Sequence, residues 1–250
     1  MKYIKDTIDV NIEAFKKTIS SAKYYPIIAI ILVFNMIVNF VANSVIGLFA
    51  SAISIPFLWG IASYLVDVAT LSLLMVALYR VIRSSRLDLS NFTQDWQTFM
   101  NPLMATRFIF WLIEMVIVFI SRSAFGTIPY LPIILAFLYQ ILTSPMLETI
   151  YIAGEQGQDA LFSIIDFLKR NFLQWILVTV AFSLIMVNVS RYSFINIFSS
   201  EGFKYLPILI IYYLLMAFVY IYKGHLFSIL HNSSMRKRKF MKEADNDFFR

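Results

Sequence analysis

Six long apolar runs limit what this chain can fold into more than any other feature. They cover about residues 26–49, 57–80, 102–120, 129–150, 172–189 and 205–226. Each is close to the ~20 residues a helix needs to cross ~30 Å of hydrocarbon at ~1.5 Å per residue. Backbone amides in lipid must be satisfied within a helix or a closed barrel, and these runs are too continuous for the alternating strands of a barrel. Composition agrees: hydrophobic residues make up 60% of the 250 and charged residues 14%, whereas soluble domains are roughly 25% charged. The first run starts too late for a secretory signal and lacks a small-residue cleavage site, so it reads as a retained helix. With no Cys in the chain, disulfides, thiolate metal sites and Cys nucleophiles drop out, without identifying a compartment.

The charges between the runs orient them. With both termini cytoplasmic, the inner segments carry 17 of the 21 Lys and Arg, and the outer loops carry only Arg122, Arg191 and Lys204. Arg107 falls inside a span. That bias satisfies the positive-inside rule, so the net charge of +6 requires no nucleic-acid partner.

The segments before the first, third and fifth runs share a pattern. Ile4, Ile8, Ile12, Phe15 and Ile19 recur at helical spacing. Phe92, Trp96 and Phe99 do the same after Asn91, which can cap a helix with Gln94. Leu161, Ile164, Ile165 and Leu168 line one side of a third helix, with Asp166, Lys169 and Arg170 off it. Such helices suit a membrane interface. The expected fold is therefore an all-α polytopic membrane protein: six transmembrane helices in three repeats, each an interfacial amphipathic helix followed by a transmembrane hairpin. The units are about 1–83, 84–153 and 154–231 within one membrane domain, 1–231. Residues 232–250 form a charged cytoplasmic tail. Its basic cluster, Arg236-Lys237-Arg238-Lys239, either holds anionic lipid at ~1 kcal/mol per charge or fixes topology as a stop signal.

Several polar residues fall within the spans. Asp67 lies mid-span, where a charge costs roughly 2.5–3.5 kcal/mol on insertion scales and marks a functional candidate. Asn35, Asn39 and Asn43, spaced by four, form a stripe on the first span, and Arg107 and Glu114, two turns apart, share a face of the third. These residues line either a hydrated or substrate-facing interior, or helix contacts at ~0.6 kcal/mol per hydrogen bond. Asp67 is expected to face the Asn stripe. Pro145, Glu148, Gly154 and Gly157 mark a turn at the inner end of the fourth span, where Glu148 is expected to cap amides or to pair with Lys169 or Arg170.

Enzyme signatures are missing. Neither His225 nor His231 has a second ligand at metal spacing, and the chain has no HExxH, GxSxG or phosphate-binding GxxxxGK[ST]. No cofactor, metal or catalytic residue is expected.

The run Pro145…Glu148…Gly154-Glu155-Gln156-Gly157…Ala160-Leu161…Leu168-Lys169-Arg170-Asn171-Phe172…Trp175 resembles the six-helix bacterial membrane proteins grouped with the membrane domain of glycerophosphodiester phosphodiesterases. Arg170 stands where that family usually has Gly, and Phe162-Ser163 lies near the place of its Arg-Ser pair. The likeness covers about 40 residues well and the rest in layout. It implies a multi-pass protein of the bacterial cytoplasmic membrane and no particular activity. The soluble phosphodiesterase barrel is not expected, since six spans take up the 250 residues. Two functions follow. One is a non-enzymatic membrane scaffold, or a component handling lipid or amphipathic peptide at the inner leaflet. The other is a permease subunit of a transporter driven by a separate ATPase, with residues 86–101 as a coupling helix.

Overall fold

The computed structural model describes residues 2–52, 56–84, 92–124, 130–189, 206–233 and 237–238. Among them all regular structure is helical. Helix α1 (Lys2–Ser20) leads through a 3-10 turn (Ala22–Tyr24) into α2 (Tyr25–Ala52). Then come α3 (Pro56–Ser84), α4 (Phe92–Ala124) and α5 (Leu131–Thr143). A single turn, α6 (Met146–Glu148), runs into a π-turn (Thr149–Ala153), followed by α7 (Gly157–Val189) and α8 (Leu206–Asn232).

Five stretches are long and apolar enough to cross a membrane: Ala22–Phe49, Trp59–Ser84, Gln94–Arg122, Leu131–Ala153 and Leu206–Asn232. They coincide with five of the six runs. The remaining run, 172–189, is the second part of α7, beyond a kink at Asn171 (φ −126°, ψ 22°). There the Asn171 amide donates to the Phe167 carbonyl at 3.2 Å and competes with the helical ladder.

Helix α8 is central to the packing. One apolar core joins it to α2, α3, α4 and the π-turn through Ile28, Leu74, Leu78, Leu103, Tyr151 and Ile221. A second joins it to α1 and α7 through Val10, Ala14, Phe167, Trp175, Leu226 and Phe227. The outward faces stay apolar, with Ile30, Leu48, Phe119, Ile133, Leu177 and Ile211 exposed. Water would penalise so much exposed apolar surface, whereas lipid would not.

The three amphipathic segments differ from one another, which corrects the expectation of a common interfacial design. On α1 the small face Val10, Ala14 and Thr18 is buried, and the stripe from Ile4 to Ile19 remains exposed as expected. The second segment is not a separate surface helix. It forms the first turns of α4, which runs unbroken past Pro102. Its stripe turns inward because both of its polar neighbours are held by α3. The Trp96 indole N–H donates to the Ala69 carbonyl at 3.1 Å, and Arg80 grips the Asp95 carboxylate through Nε (3.0 Å) and Nη2 (2.7 Å). Phe99 is buried there against Tyr79. The third segment opens α7 and buries Ala160, Ile164 and Phe167, leaving Leu161, Ile165 and Leu168 at the margin. Asn91 and Phe92, the start of the second stripe, and most of the tail lie outside the described residues or side chains.

One member of the tail's basic cluster is already engaged. Arg238 binds the Asp6 carboxylate with both Nε (3.1 Å) and Nη2 (2.8 Å), and Gln174 of α7 donates to the same carboxylate at 3.3 Å.

Candidate functional site

The site is built on the turn after α5. Pro145 has no N–H to continue the helix. Its carbonyl accepts both the Thr149 N–H and the Thr149 hydroxyl, each at 2.9 Å. The chain then widens into the π-turn, a feature often found at functional positions. Gly154 (φ 78°) and Gly157 (φ 58°) end it in the left-handed region, where any other residue type costs roughly 1–2 kcal/mol. The Gly157 N–H donates to the Thr106 hydroxyl at 2.9 Å and thereby ties the turn to α4.

This turn aims Glu148 at α8. Its carboxylate is fully buried, 3.3 Å from the Lys223 ammonium. Lys223 also donates to the Ser144 carbonyl at 2.7 Å and lies 5.5 Å from the centre of the Trp175 ring. The Trp175 indole N–H in turn donates to the Ser144 hydroxyl at 2.7 Å. The partner expected from sequence is thus corrected. Lys169 and Arg170 sit on the exposed side of α7 near Asp166, at 3.9 Å and 4.0 Å, because that face points away from α8.

Asp67 also has a different partner from the one expected. Its carboxylate pairs with Arg107 across the α3–α4 contact, each side chain about one-third exposed. The Asn stripe lies along the α2–α3 seam instead. The Asn39 amide donates to the Thr70 hydroxyl at 3.0 Å, and that hydroxyl donates to the Asp67 backbone carbonyl at 3.1 Å. Ser63 donates to Asn43 Oδ1 at 2.8 Å. Asn35 is buried, and its amide finds no hydrogen-bond partner among the described residues. Among the described residues, Arg107 is the cation that pairs with Asp67, and this ion pair holds the carboxylate toward α4.

Arg107 and Glu114 do face the same side of α4. Together with Lys223, Tyr64, Gln140 and Tyr220 they line a cavity of about 380 Å³ between α3, α4, α5, α7 and α8. Leu71, Phe110, Met146 and Leu147 supply its apolar wall. Exposed Trp111 and Glu114 stand at its rim. A second cavity of about 530 Å³ reaches from Glu114 and Tyr139 to Ser121 and Arg122, so Glu114 and Tyr139 border both. The Tyr139 hydroxyl lies 3.4 Å from Glu114 Oε2 and 3.3 Å from the Phe110 carbonyl.

Sequence reasoning missed Lys223, Tyr139, Gln140 and Tyr220 as parts of this site. The signal for Lys223 was its position before the end of the last apolar run, although it was counted with the inner-loop charges. The tyrosines gave none, because a Tyr within an apolar run also reads as part of the helix packing. The two histidines lie elsewhere: His225 Nε2 is 3.2 Å from the Ser21 hydroxyl, and His231 stacks on Phe227. Among the described residues, no three of His, Asp and Glu gather as metal ligands.

Paired charges, hydroxyls and an apolar wall within a helix array suit the polar end of an amphiphile. No family model, curated protein or solved structure matches the chain.

Proposed function

We propose that this protein is a non-enzymatic, multi-pass component of the bacterial cytoplasmic membrane that handles an amphiphile, a lipid or an amphipathic peptide, within its helix array. The cavity between α4, α5 and α8 carries this reading. Arg107 and Lys223, paired with Asp67 and Glu148 behind them, line a space of about 380 Å³ beside apolar walls, a size typical of small-molecule sites at ~300–1,000 Å³. Charges inside a membrane protein face the interior or a hydrated cavity and mark pathways and sites. The proposed topology has six spans, with 172–189 as the fifth, arranged as three units with both termini cytoplasmic. The likeness to the six-helix membrane family supports that layout and adds no activity. The exposed Ile stripe of α1 would rest in the inner leaflet.

A benzophenone amino acid at Met146, which lines the cavity, tests the reading in cells. It should capture a lipid-sized adduct on illumination. The same group at Ile28, which is fully buried away from the cavity, should not. Equal yields at both positions, or none at Met146, would remove the amphiphile reading.

The alternative, a permease subunit driven by a separate ATPase, is favoured by one observation. The two cavities meet at Glu114 and Tyr139, so polar groups extend along α4 from Arg107 to Arg122. Co-purification of an ATPase with the intact chain would support it. The coupling element has a different form from the one expected, since residues 92–101 are continuous with α4.

A further inference from the structure

Three charged side chains line the cavity, Arg107, Lys223 and Glu114, and the two cations are ion-paired. Arg107 is held by Asp67, and Lys223 by Glu148 and the Ser144 carbonyl. Glu114 makes no ion pair among the described residues. Its hydrogen bond from Tyr139 is long, at 3.4 Å. An uncompensated carboxylate on a membrane-embedded helix face is costly unless something positive meets it. Here it stands at the rim of the cavity, with the Phe110, Trp111 and Tyr139 rings among its neighbours in the lining. Aromatic faces attract cations through their ring quadrupoles. Gln140, also in the lining, directs its amide N–H at the Ser183 hydroxyl (2.6 Å) on α7.

We infer that the cavity takes a lipophilic cation, an amphiphile with a positive headgroup, and that the Glu114 carboxylate receives that headgroup. An anionic headgroup would have to compete with Asp67 for Arg107 or with the fully buried Glu148 for Lys223. A cationic one completes the charge balance with every existing pair intact. Its apolar part lies against Leu71, Phe110 and Trp111. This inference rests on the amphiphile reading above and narrows it to one sign of charge.

The test uses the full chain in phosphatidylcholine nanodiscs, with radiolabelled tetraphenylphosphonium and its anionic counterpart of the same shape, tetraphenylborate. Binding is measured above that of empty discs. Tetraphenylphosphonium should bind saturably and at least about tenfold more tightly than tetraphenylborate, as expected for one desolvated charge contact. Glu114→Gln should weaken it about tenfold, and Glu114→Asp, which keeps the charge, should retain most of it. Trp111→Leu gives a second reading, a loss of about threefold, should Glu114→Gln fail to fold. Saturable binding of both ions, indifferent to Glu114, leaves the amphiphile site standing and overturns its charge preference. Failure of both ions to saturate, while Met146 still captures lipid, also overturns the cationic assignment alone. Failure of both ions together with loss of the Met146 adduct overturns the parent reading as well.

Discussion

The Lys223 ammonium lies 3.3 Å from Oε1 of Glu148, with the two side chains 7% and 0% exposed. Both side chains are buried, and the carboxylate of Glu148 is the charge that offsets the Lys223 ammonium there. Glu148→Gln leaves a buried cation and Lys223→Met a buried carboxylate, and each should cost about 3–5 kcal/mol. The double variant removes both charges and should recover most of that loss. Unfolding in mixed micelles measures the cycle. Costs that simply add would show that the two charges do not depend on one another.

The Asp67–Arg107 pair is about one-third exposed on both sides, so its loss should be milder. Asp67→Leu should lower stability by about 1–3 kcal/mol, because it strands Arg107 between helices. Adding Arg107→Leu should restore it. Asp67→Asn, which still accepts a hydrogen bond from the guanidinium, should fall between. If Asp67→Leu leaves the unfolding midpoint where it was, the pair contributes nothing to packing.

At Gly224, α8 packs tightly against Ile82 of α3 and Tyr151 of the π-turn. A Cβ there would sit 1.9 Å from Ile82 Cδ1 and 2.6 Å from the Tyr151 hydroxyl. Gly224→Ala should therefore cost about 1–3 kcal/mol by overpacking. Ile82→Val, which removes Cδ1, should relieve part of it. The same melting measurement reads both, and a neutral Gly224→Ala would place α8 farther from α3 and the π-turn.

The helices were legible in the sequence, whereas their partners were less so. Apolar length alone located five of the stretches capable of crossing a membrane, because lipid leaves a helix little choice. The glycines at 154 and 157 were recognisable as a turn, and both have positive φ. What lay out of reach was which face meets which. Sequence proximity offers Glu148 the exposed amides of the turn or Lys169 or Arg170, whereas the Pro145 break and the π-turn carry it to Lys223, 75 residues away. The Trp96 stripe read as interfacial because periodicity reports an apolar side and not what covers it. The Ala69 carbonyl, which accepts the indole N–H, leaves no trace in sequence. Glu114 and Arg107 were placed on one face correctly by spacing alone, since two turns of a helix fix that relation.

The remaining prediction concerns the number of crossings. Asp6, in the first helix, is bound by Arg238, beyond the last helix, at 2.8 Å. The Tyr222 hydroxyl of α8 donates to Asn11 of α1, which brings the same ends together. The proposed topology, with both ends on one side of the membrane, agrees with these contacts and calls for an even number of crossings. Five stretches are long and apolar enough to cross, and under the proposed topology the run 172–189 is the sixth. Reporter fusions at Ser54, Gly126 and Ser199 should read outside, and those at Asp88, Gln158 and Asn246 inside. Ser199 and Asn246 decide the matter. If 172–189 does not cross, Ser199 reads inside and Asn246 outside, and the Asp6–Arg238 contact could not form across the bilayer. Asp6→Asn would then leave the protease sensitivity of the tail unchanged. With six crossings, the same substitution should release the tail and make it more readily cleaved from the cytoplasmic side.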